Sequence, residues 1–403
     1  MKRLKKIGKW FLAILVLLNL AIIISGKTYL YKGVANTYLK GRSGPGIDEY
    51  KIFENRKVAN GTYISWYHSK RYNSKRISPE AQKEFETMQS VAYVIVKNDS
   101  LIHEQYWDGY GEDSYSNSFS MAKTFISILV GIAIDEGKIK SIDQPVGDFL
   151  PEFKTGENAK LTVKHLLTMS SGMNFDENYV SPFAYPAAAY YGSDLKKLTN
   201  KYSVTEEPGK IFKYLSGNTI LLGSILEKAT GKKISEYASE KLWKPLGAKN
   251  DAFWSLDHAD GMEKAYCCFN SNAPDFARIG ELFLDSGKFN GIQIISPEYV
   301  INSIKPADLL DKNGKKNELY GYAWWLLPNY LPAASLPDSQ GQIGNGHNIY
   351  YARGILGQYI VCIPDKKMVI VRLGKKREKQ LPTEDHPKDV YHYIDAALEM
   401  YGD

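Results

Sequence analysis

The chain opens with an apolar run, Phe11 to Ile24, broken only by Asn19 and preceded by Lys2, Arg3, Lys5, Lys6 and Lys9. A basic segment followed by an apolar one is the grammar of secretory targeting. With Trp10, Ser25 and Gly26 the run reaches about 25 Å at 1.5 Å per residue, slightly short of a hydrocarbon core of ~30 Å. A cleavable signal needs small residues at −3 and −1. Ile23-Ile24-Ser25 and Ile24-Ser25-Gly26 meet that need poorly, so residues 1–26 are expected to remain as a single-pass anchor. The five cations before the run, against Lys27, Lys32, Lys40 and Arg42 after it, favour an inside N-terminus and an extracytoplasmic body. Residues 27–46 end in Gly41-Arg42-Ser43-Gly44-Pro45-Gly46 and read as a linker.

Past residue 46 the pattern changes period. Ser90-Val91-Ala92-Tyr93-Val94-Ile95-Val96 is rich in strand formers and stops at Lys97-Asn98-Asp99. Leu101–Tyr106 follows, so the two predict a hairpin. Met121 to about Glu136 predicts an apolar helix ended by Gly137. Helical spacing recurs over 162–169, 217–230, 234–242 and 274–286. Strands return at 358–363 and 368–373, joined by Pro364-Asp365-Lys366-Lys367, and a last helix covers 388–400. This order predicts an α/β (α+β) fold in one body, residues 47–403. An antiparallel β-sheet is flanked by helices, and a mainly helical subdomain is inserted at about 137–290.

Composition narrows the function classes. A chain of 403 residues with 44% hydrophobic and 24% charged residues suits an enzyme-sized globular body and excludes disordered or fibrous classes. Its 51 basic and 45 acidic residues give +6, most of it in the first nine positions, so no nucleic-acid surface is expected. The run Lys375, Lys376, Arg377 and Lys379 reads as a solvated loop. Cys267, Cys268 and Cys362 make neither a disulfide framework nor a zinc pattern, and adjacent cysteines rarely bridge, so all three are expected as small core residues. Without His-Glu-x-x-His or Cys-x-x-Cys no metal site is expected. Without Gly-x-Ser-x-Gly, a triad built on His165 or His347 is not expected either. His165 reads instead as a structural hydrogen-bonder.

The candidate chemistry lies on the helix after Ser118. Ser120, Lys123, Thr124, Ser127 and Gly131 fall at i, i+3, i+4, i+7 and i+11, one stripe on an otherwise apolar helix. A polar stripe on a buried helix must face water, a polar network or a pocket. Ser120 stands where free N–H groups and the helix dipole can stabilise an oxyanion. Lys123, one turn on, shares its face and can take the serine proton. Ser193-Asp194-Leu195-Lys196 has the same spacing but no buried helix behind it.

These residues and their surroundings resemble the serine β-lactamase-like hydrolases. That family includes class C β-lactamases, D-Ala-D-Ala peptidases, related esterases and 6-aminohexanoate-dimer hydrolases. The resemblance covers roughly residues 85–400. It is carried by Ser120-Met121-Ala122-Lys123 with Asp135-Glu136-Gly137-Lys138, by Asp143-Gln144-Pro145-Val146, and by Thr162 through Gly172. Glu207-Pro208-Gly209, Leu221-Leu222-Gly223, Pro245-Leu246-Gly247 and Asp275 through Gly280 continue it in the same order. It implies a β-lactamase/transpeptidase-like fold and no cofactor.

The family's second motif is Tyr214-Leu215-Ser216, which implies Tyr214 as the proton relay to the leaving group and Ser216 as a hydrogen-bonder to Lys123 or to the substrate amide. The third motif departs from the usual Lys-Thr-Gly. Lys154-Thr155-Gly156 precedes Tyr214 and is in the wrong order. The matching stretch is Tyr351-Ala352-Arg353-Gly354-Ile355-Leu356-Gly357-Gln358. By resemblance, the N–H groups of Ser120 and Ile355 are the oxyanion donors, and Gly354 lets substrate lie against the strand edge.

The expected activity is an anchored serine hydrolase cleaving a small-molecule ester or amide through an acyl-enzyme on Ser120. The alternatives are an acyl-sensor that acylates without turnover, and a cell-wall D-Ala-D-Ala peptidase or β-lactamase. The lost Lys-Thr-Gly triplet favours neutral esters over β-lactams, with Arg353 the cation that could replace it. The tyrosines of 178–192 (Tyr179, Tyr185, Tyr190, Tyr191) are candidates for an aromatic wall of the cleft.

Overall fold

A computed structural model describes residues 2–332, 346–380 and 386–403. The chain begins with α1 (Lys2–Ile24), exposed along almost its whole length. It is one helix long and apolar enough to cross a membrane, by length and composition. Gly26 in the left-handed region closes it, and α2 (Tyr29–Asn36) follows at once. The stretch read as a linker therefore carries a helix. Then come β1 (Asn55–Val58), β2 (Tyr67–His68) and α3 (Pro79–Thr87), which starts where Ser78 accepts from the Ala81 N–H and Pro79 occupies the first turn. The expected hairpin is β3 (Ser90–Lys97) and β4 (Ser100–Tyr106). After β5 (Ser116–Asn117) and a 3₁₀ turn at Phe119–Met121, the apolar helix α4 runs Ala122–Asp135.

The middle of the chain is mainly helical: α5 (Val163–Leu167), α6 (Tyr185–Tyr191), α7 (Leu195–Thr199), α8 (Ser216–Thr230) and α9 (Ile234–Ala238). It also holds two short strands not foreseen there, β6 (Ala252–Ser255) and β7 (Phe269–Ser271). With β1 and β5 they make a second sheet of order β1-β6-β7-β5. Short, irregular, half-polar strands such as Phe269-Asn270-Ser271 carry too few alternating positions to be read from sequence. Next are α10 (Ala273–Leu284), the hairpin β8 (Lys288–Phe289) and β9 (Ile292–Gln293), and α11 (Pro297–Ser303). The chain closes with β10 (Trp325–Tyr330), β11 (His347–Gly354), β12 (Gln358–Ile363), β13 (Met368–Gly374) and α12 (Lys388–Tyr401).

The main sheet has the order β10-β11-β12-β13-β3-β4-β2, antiparallel except where β2 meets β4. Chain-distant strands pair at its centre, Val371 opposite Val94 and Ile370 opposite Ile95. Both faces of β3 are buried, which is why its sequence is continuously apolar rather than alternating. On one face lies α10, drawn close because Gly280 leaves room: a Cβ there would sit 2.5 Å from Val369. On the other lie α3 and α12, where Phe85 meets Tyr93 edge-on and the Tyr93 hydroxyl donates to the Tyr393 carbonyl at 2.6 Å. The expected sheet with covering helices and an inserted helical region is the observed architecture.

Cys267 and Cys268 depart from expectation, because a disulfide joins them. Cys268 has φ of +66°, a left-handed turn that changes the direction of the chain between two side chains that would point apart in a regular strand.

Candidate active site

Ser120 sits at the join of β5 and α4. Its neighbours Phe119 and Met121 are buried and Ser120 itself is half-buried, so the turn offers one side chain to the cleft. Phe119 has φ of +44°, a conformation that a bulky residue holds only when its surroundings impose it. Here they do: Asn117 Oδ1 accepts from the Phe119 N–H at 2.8 Å, and the Ser118 N–H donates to the Phe269 carbonyl at 2.9 Å.

Lys123, one turn into α4, is 2% exposed. Its Nζ donates to Ser120 Oγ and to the Tyr266 carbonyl oxygen, both at 3.0 Å. The ring centres of Tyr214 and Tyr266 lie 5.0 and 5.3 Å from that nitrogen. Burial pushes the Tyr266 phenol well above its ordinary range, so it stays protonated. The rest of the stripe meets a polar network, as a buried polar face must. Thr124 donates to the Ala323 carbonyl at 2.8 Å and Ser127 to the Tyr322 carbonyl at 2.9 Å, while Gly131 makes room for Tyr299.

Tyr214 stands before α8, its ring tilted on Trp325 at 5.5 Å. Ser216, expected to bond Lys123 or the substrate amide, is held here by a carboxylate. Its N–H and Oγ donate to the Glu177 carboxylate at 2.9 and 2.5 Å, and Tyr179 donates to the same carboxylate at 2.7 Å. An ionised carboxylate is a strong acceptor for N–H and O–H donors, so it holds both groups of the serine.

Gly354 ends β11 against the turn that carries Ser120, and Ile355 follows it. Glycine at 354 has a packing reason. A Cβ at 354 would collide with the Ser118 carbonyl oxygen and lie 3.2 Å from the Phe119 side chain. The missing side chain therefore lets the strand end press against the turn that carries Ser120. Behind Ile355, buried Arg372 holds the turn by donating to the carbonyls of Leu356 at 3.0 Å and Gly357 at 2.8 Å. Gln358 donates to the Ile355 carbonyl at 3.2 Å.

These residues open on a cavity of about 910 Å³ lined by Ser120, Tyr214, Tyr266, Arg353, Gly354 and Ile355. Of the tyrosines in 178–192, Tyr179, Tyr190 and Tyr191 line it. Tyr185 does not, being buried against Thr199. Lys375 and Arg377, read as a solvated loop, line it as well. So does Arg353, whose guanidinium lies 3.7 Å from the Trp325 ring centre.

His165 accepts from the Thr162 N–H at 3.2 Å and caps α5, while His347 pairs with Asp365 at 2.7 Å. Ser193 and Lys196 are both exposed. Three contributors escaped sequence reading: Glu177, Asn117 and the Tyr266 carbonyl. Only Glu177 carried a signal, as one of two adjacent acids, Asp176 and Glu177, just before Tyr179. A backbone carbonyl carries none, because every residue has one.

A family model described as Beta-lactamase matches residues 80–390. The chain is 28% identical over 319 residues to a 6-aminohexanoate-dimer hydrolase of Paenarthrobacter ureafaciens, covering 73% of this chain and 75% of that protein. Among solved structures, a Bacillus anthracis protein named as a candidate 6-aminohexanoate-dimer hydrolase superposes with a TM-score of 0.70 at 22% identity, over 88% of this chain and 93% of that one. A family VIII carboxylesterase superposes with a TM-score of 0.59 at 16% identity, over 83% and 99%. At these identities the two structures speak for the fold alone.

Proposed function

The chain belongs to the β-lactamase family, a family of serine hydrolases, and from that premise we propose an exported, membrane-anchored enzyme that cleaves esters or amides through an acyl-enzyme on Ser120. The observation that carries this reading is the 3.0 Å contact between Lys123 Nζ and Ser120 Oγ at the wall of the cavity. Nucleophile and base are within hydrogen-bond reach, and the carbonyl of Tyr266 fixes the base.

Ser120 Oγ bonds to the substrate carbonyl carbon and its proton passes to Lys123. The N–H groups of Ser120 and Ile355 receive the oxyanion. The bond to the alcohol or amine then breaks, and Tyr214 delivers the proton to that leaving group. Water attacks the acyl carbon, the bond to Oγ breaks, and Ser120 regains its proton. The chain needs no cofactor for these steps. In this reading α1 anchors the protein with the body outside the cytoplasm. A disulfide at Cys267–Cys268 suits such an oxidising compartment.

Ser120→Ala should abolish labelling by a fluorophosphonate probe with the near-UV circular dichroism unchanged. Adding Lys123→Ala should cost little more, since residues acting as one unit are not additive. Labelling that persists, or moves to Ser193, overturns the assignment. A steady rate after the first turnover of a chromogenic ester separates hydrolysis from a site that acylates and stops.

A further inference from the structure

The segment that follows α1 is part of the cavity wall. Tyr29, Leu30 and Val34 of α2 line the cavity, as do Tyr38, Arg42 and Pro45 after it. The segment is docked by specific contacts. The Tyr29 hydroxyl donates to the Pro182 carbonyl at 3.1 Å, Lys27 lies over the Phe183 ring at 4.7 Å, and Gly33 abuts Tyr191. Tyr31 also reaches back to α1, donating to Asn19 Oδ1 at 2.7 Å.

Four residues separate Ile24 from Tyr29, and the five steps between them span at most about 17 Å of extended chain. The polar layer on each side of a bilayer is about 5–7 Å deep, and Asn19 lies about 7 Å below the end of α1 at 1.5 Å per residue. A wall tied to Asn19 and to Tyr29 therefore stands at the level of the headgroups. The rim beside it is apolar and open: Leu39 is 78% exposed, Val180 92%, Phe183 60% and Tyr38 64%. Lys27, Lys32, Lys40 and Arg42 are interleaved with it, the mixture that settles on an anionic lipid surface.

We propose that the active-site cavity opens onto the membrane surface and takes its ester from the bilayer, as an amphiphile whose acyl chain lies among the lipids. The inference rests on the retained anchor and on Ser120 chemistry as proposed above. The anchor segment then has two roles, holding the body at the membrane and forming the wall past which substrate enters. The chemistry is unchanged: the acyl carbon transfers to Ser120 Oγ and water releases the carboxylic acid.

The test uses the full chain in vesicles of phosphatidylglycerol and phosphatidylethanolamine, with two probes. One is p-nitrophenyl palmitate dispersed in the bilayer and the other is p-nitrophenyl acetate in the surrounding water. The variant is Leu39→Asp with Phe183→Asp, since neither side chain lines the cavity. Acetate turnover should stay within about twofold and palmitate turnover should fall about tenfold or more, because two buried apolar contacts with lipid are lost. Unchanged palmitate turnover in the variant overturns the inference, as does a wild type that cleaves acetate but not palmitate. Should the aspartates also abolish acetate turnover, Leu39→Ser with Phe183→Ser is judged by the same ratio. A chain that does not float with the vesicles sinks the anchor reading, and one that cleaves neither ester and takes no label on Ser120 sinks the hydrolase reading. Each of those results removes the inference with it, and each is recognisable from its own measurement.

Discussion

Lys264 shows at the scale of one residue how burial governs charge in this molecule. It is fully buried beside Phe53, and its Nζ donates to the Ala189 carbonyl at 3.1 Å. Burial pushes its amine down to about 7, with Asp257 opposing the shift and Lys32 adding to it. Between pH 7 and the unfolded value near 10.5 the unfolded chain binds the extra proton, so this site makes stability rise with pH across that window. Below pH 7 the penalty of the buried cation is fully present. Lys264→Met should therefore stabilise the protein by roughly 1–4 kcal/mol at pH 6.5 and by much less at pH 9.5, read from urea midpoints in detergent. An advantage that does not shrink with pH would refute this account. Ser216 gives a second test at this scale. Because its hydroxyl is held by Glu177 rather than Lys123, Ser216→Ala should leave probe labelling of Ser120 within about threefold, a loss below 1 kcal/mol. Abolished labelling would mean that Ser216 reaches Lys123 in the reacting state.

At the scale of elements, the site is a seam between α4 and β11. The turn that carries Ser120 is held from one side by Asn117 and from the other by the end of β11 at Gly354. Arg372 on β13, which also donates to the carbonyls of Met88 at 2.6 Å and Lys376 at 3.1 Å, fixes the turn after Ile355. Gly354→Ala inserts a methyl group against the Ser118 carbonyl oxygen, and that oxygen cannot retreat without moving Ser120. A shift of about 1 Å in a catalytic group is worth on the order of a hundredfold, so kcat should fall by about that much with KM little changed. Equal kcat in the alanine variant would show that the seam yields without displacing the nucleophile.

Over the whole molecule, the sheet, the helical insertion and the segment of α2 each supply one wall of the cavity that holds Ser120. The cation on β11 is Arg353, which is engaged with the Trp325 ring, and no lysine–hydroxyl pair accompanies it on that strand. A lost charge-assisted hydrogen bond is worth roughly 1.5–3 kcal/mol, or about ten- to a hundredfold. Neutral short-chain esters should therefore exceed cephalosporins in kcat/KM by about tenfold or more. Cephalosporin turnover matching the esters, and lost selectively in Arg353→Ala, would show that Arg353 grips the carboxylate after all.

The central strands β3, β4, β12 and β13, α4 with its polar stripe, and the pairing of Ser120 with Lys123 were legible in the sequence by itself. All of these are local: periodicity and i, i+3 spacing survive in any context that keeps a helix a helix. The tertiary structure decided which groups meet across the chain. It placed Glu177 on Ser216, the Tyr266 carbonyl on Lys123, Ser118 against Gly354, and α2 at the cavity wall. Each of these contacts joins segments far apart in the chain, or depends on a backbone atom or a missing side chain. Hydrophobic patterning reports which face of an element is buried but not what is buried against it, so only the packed molecule could supply them.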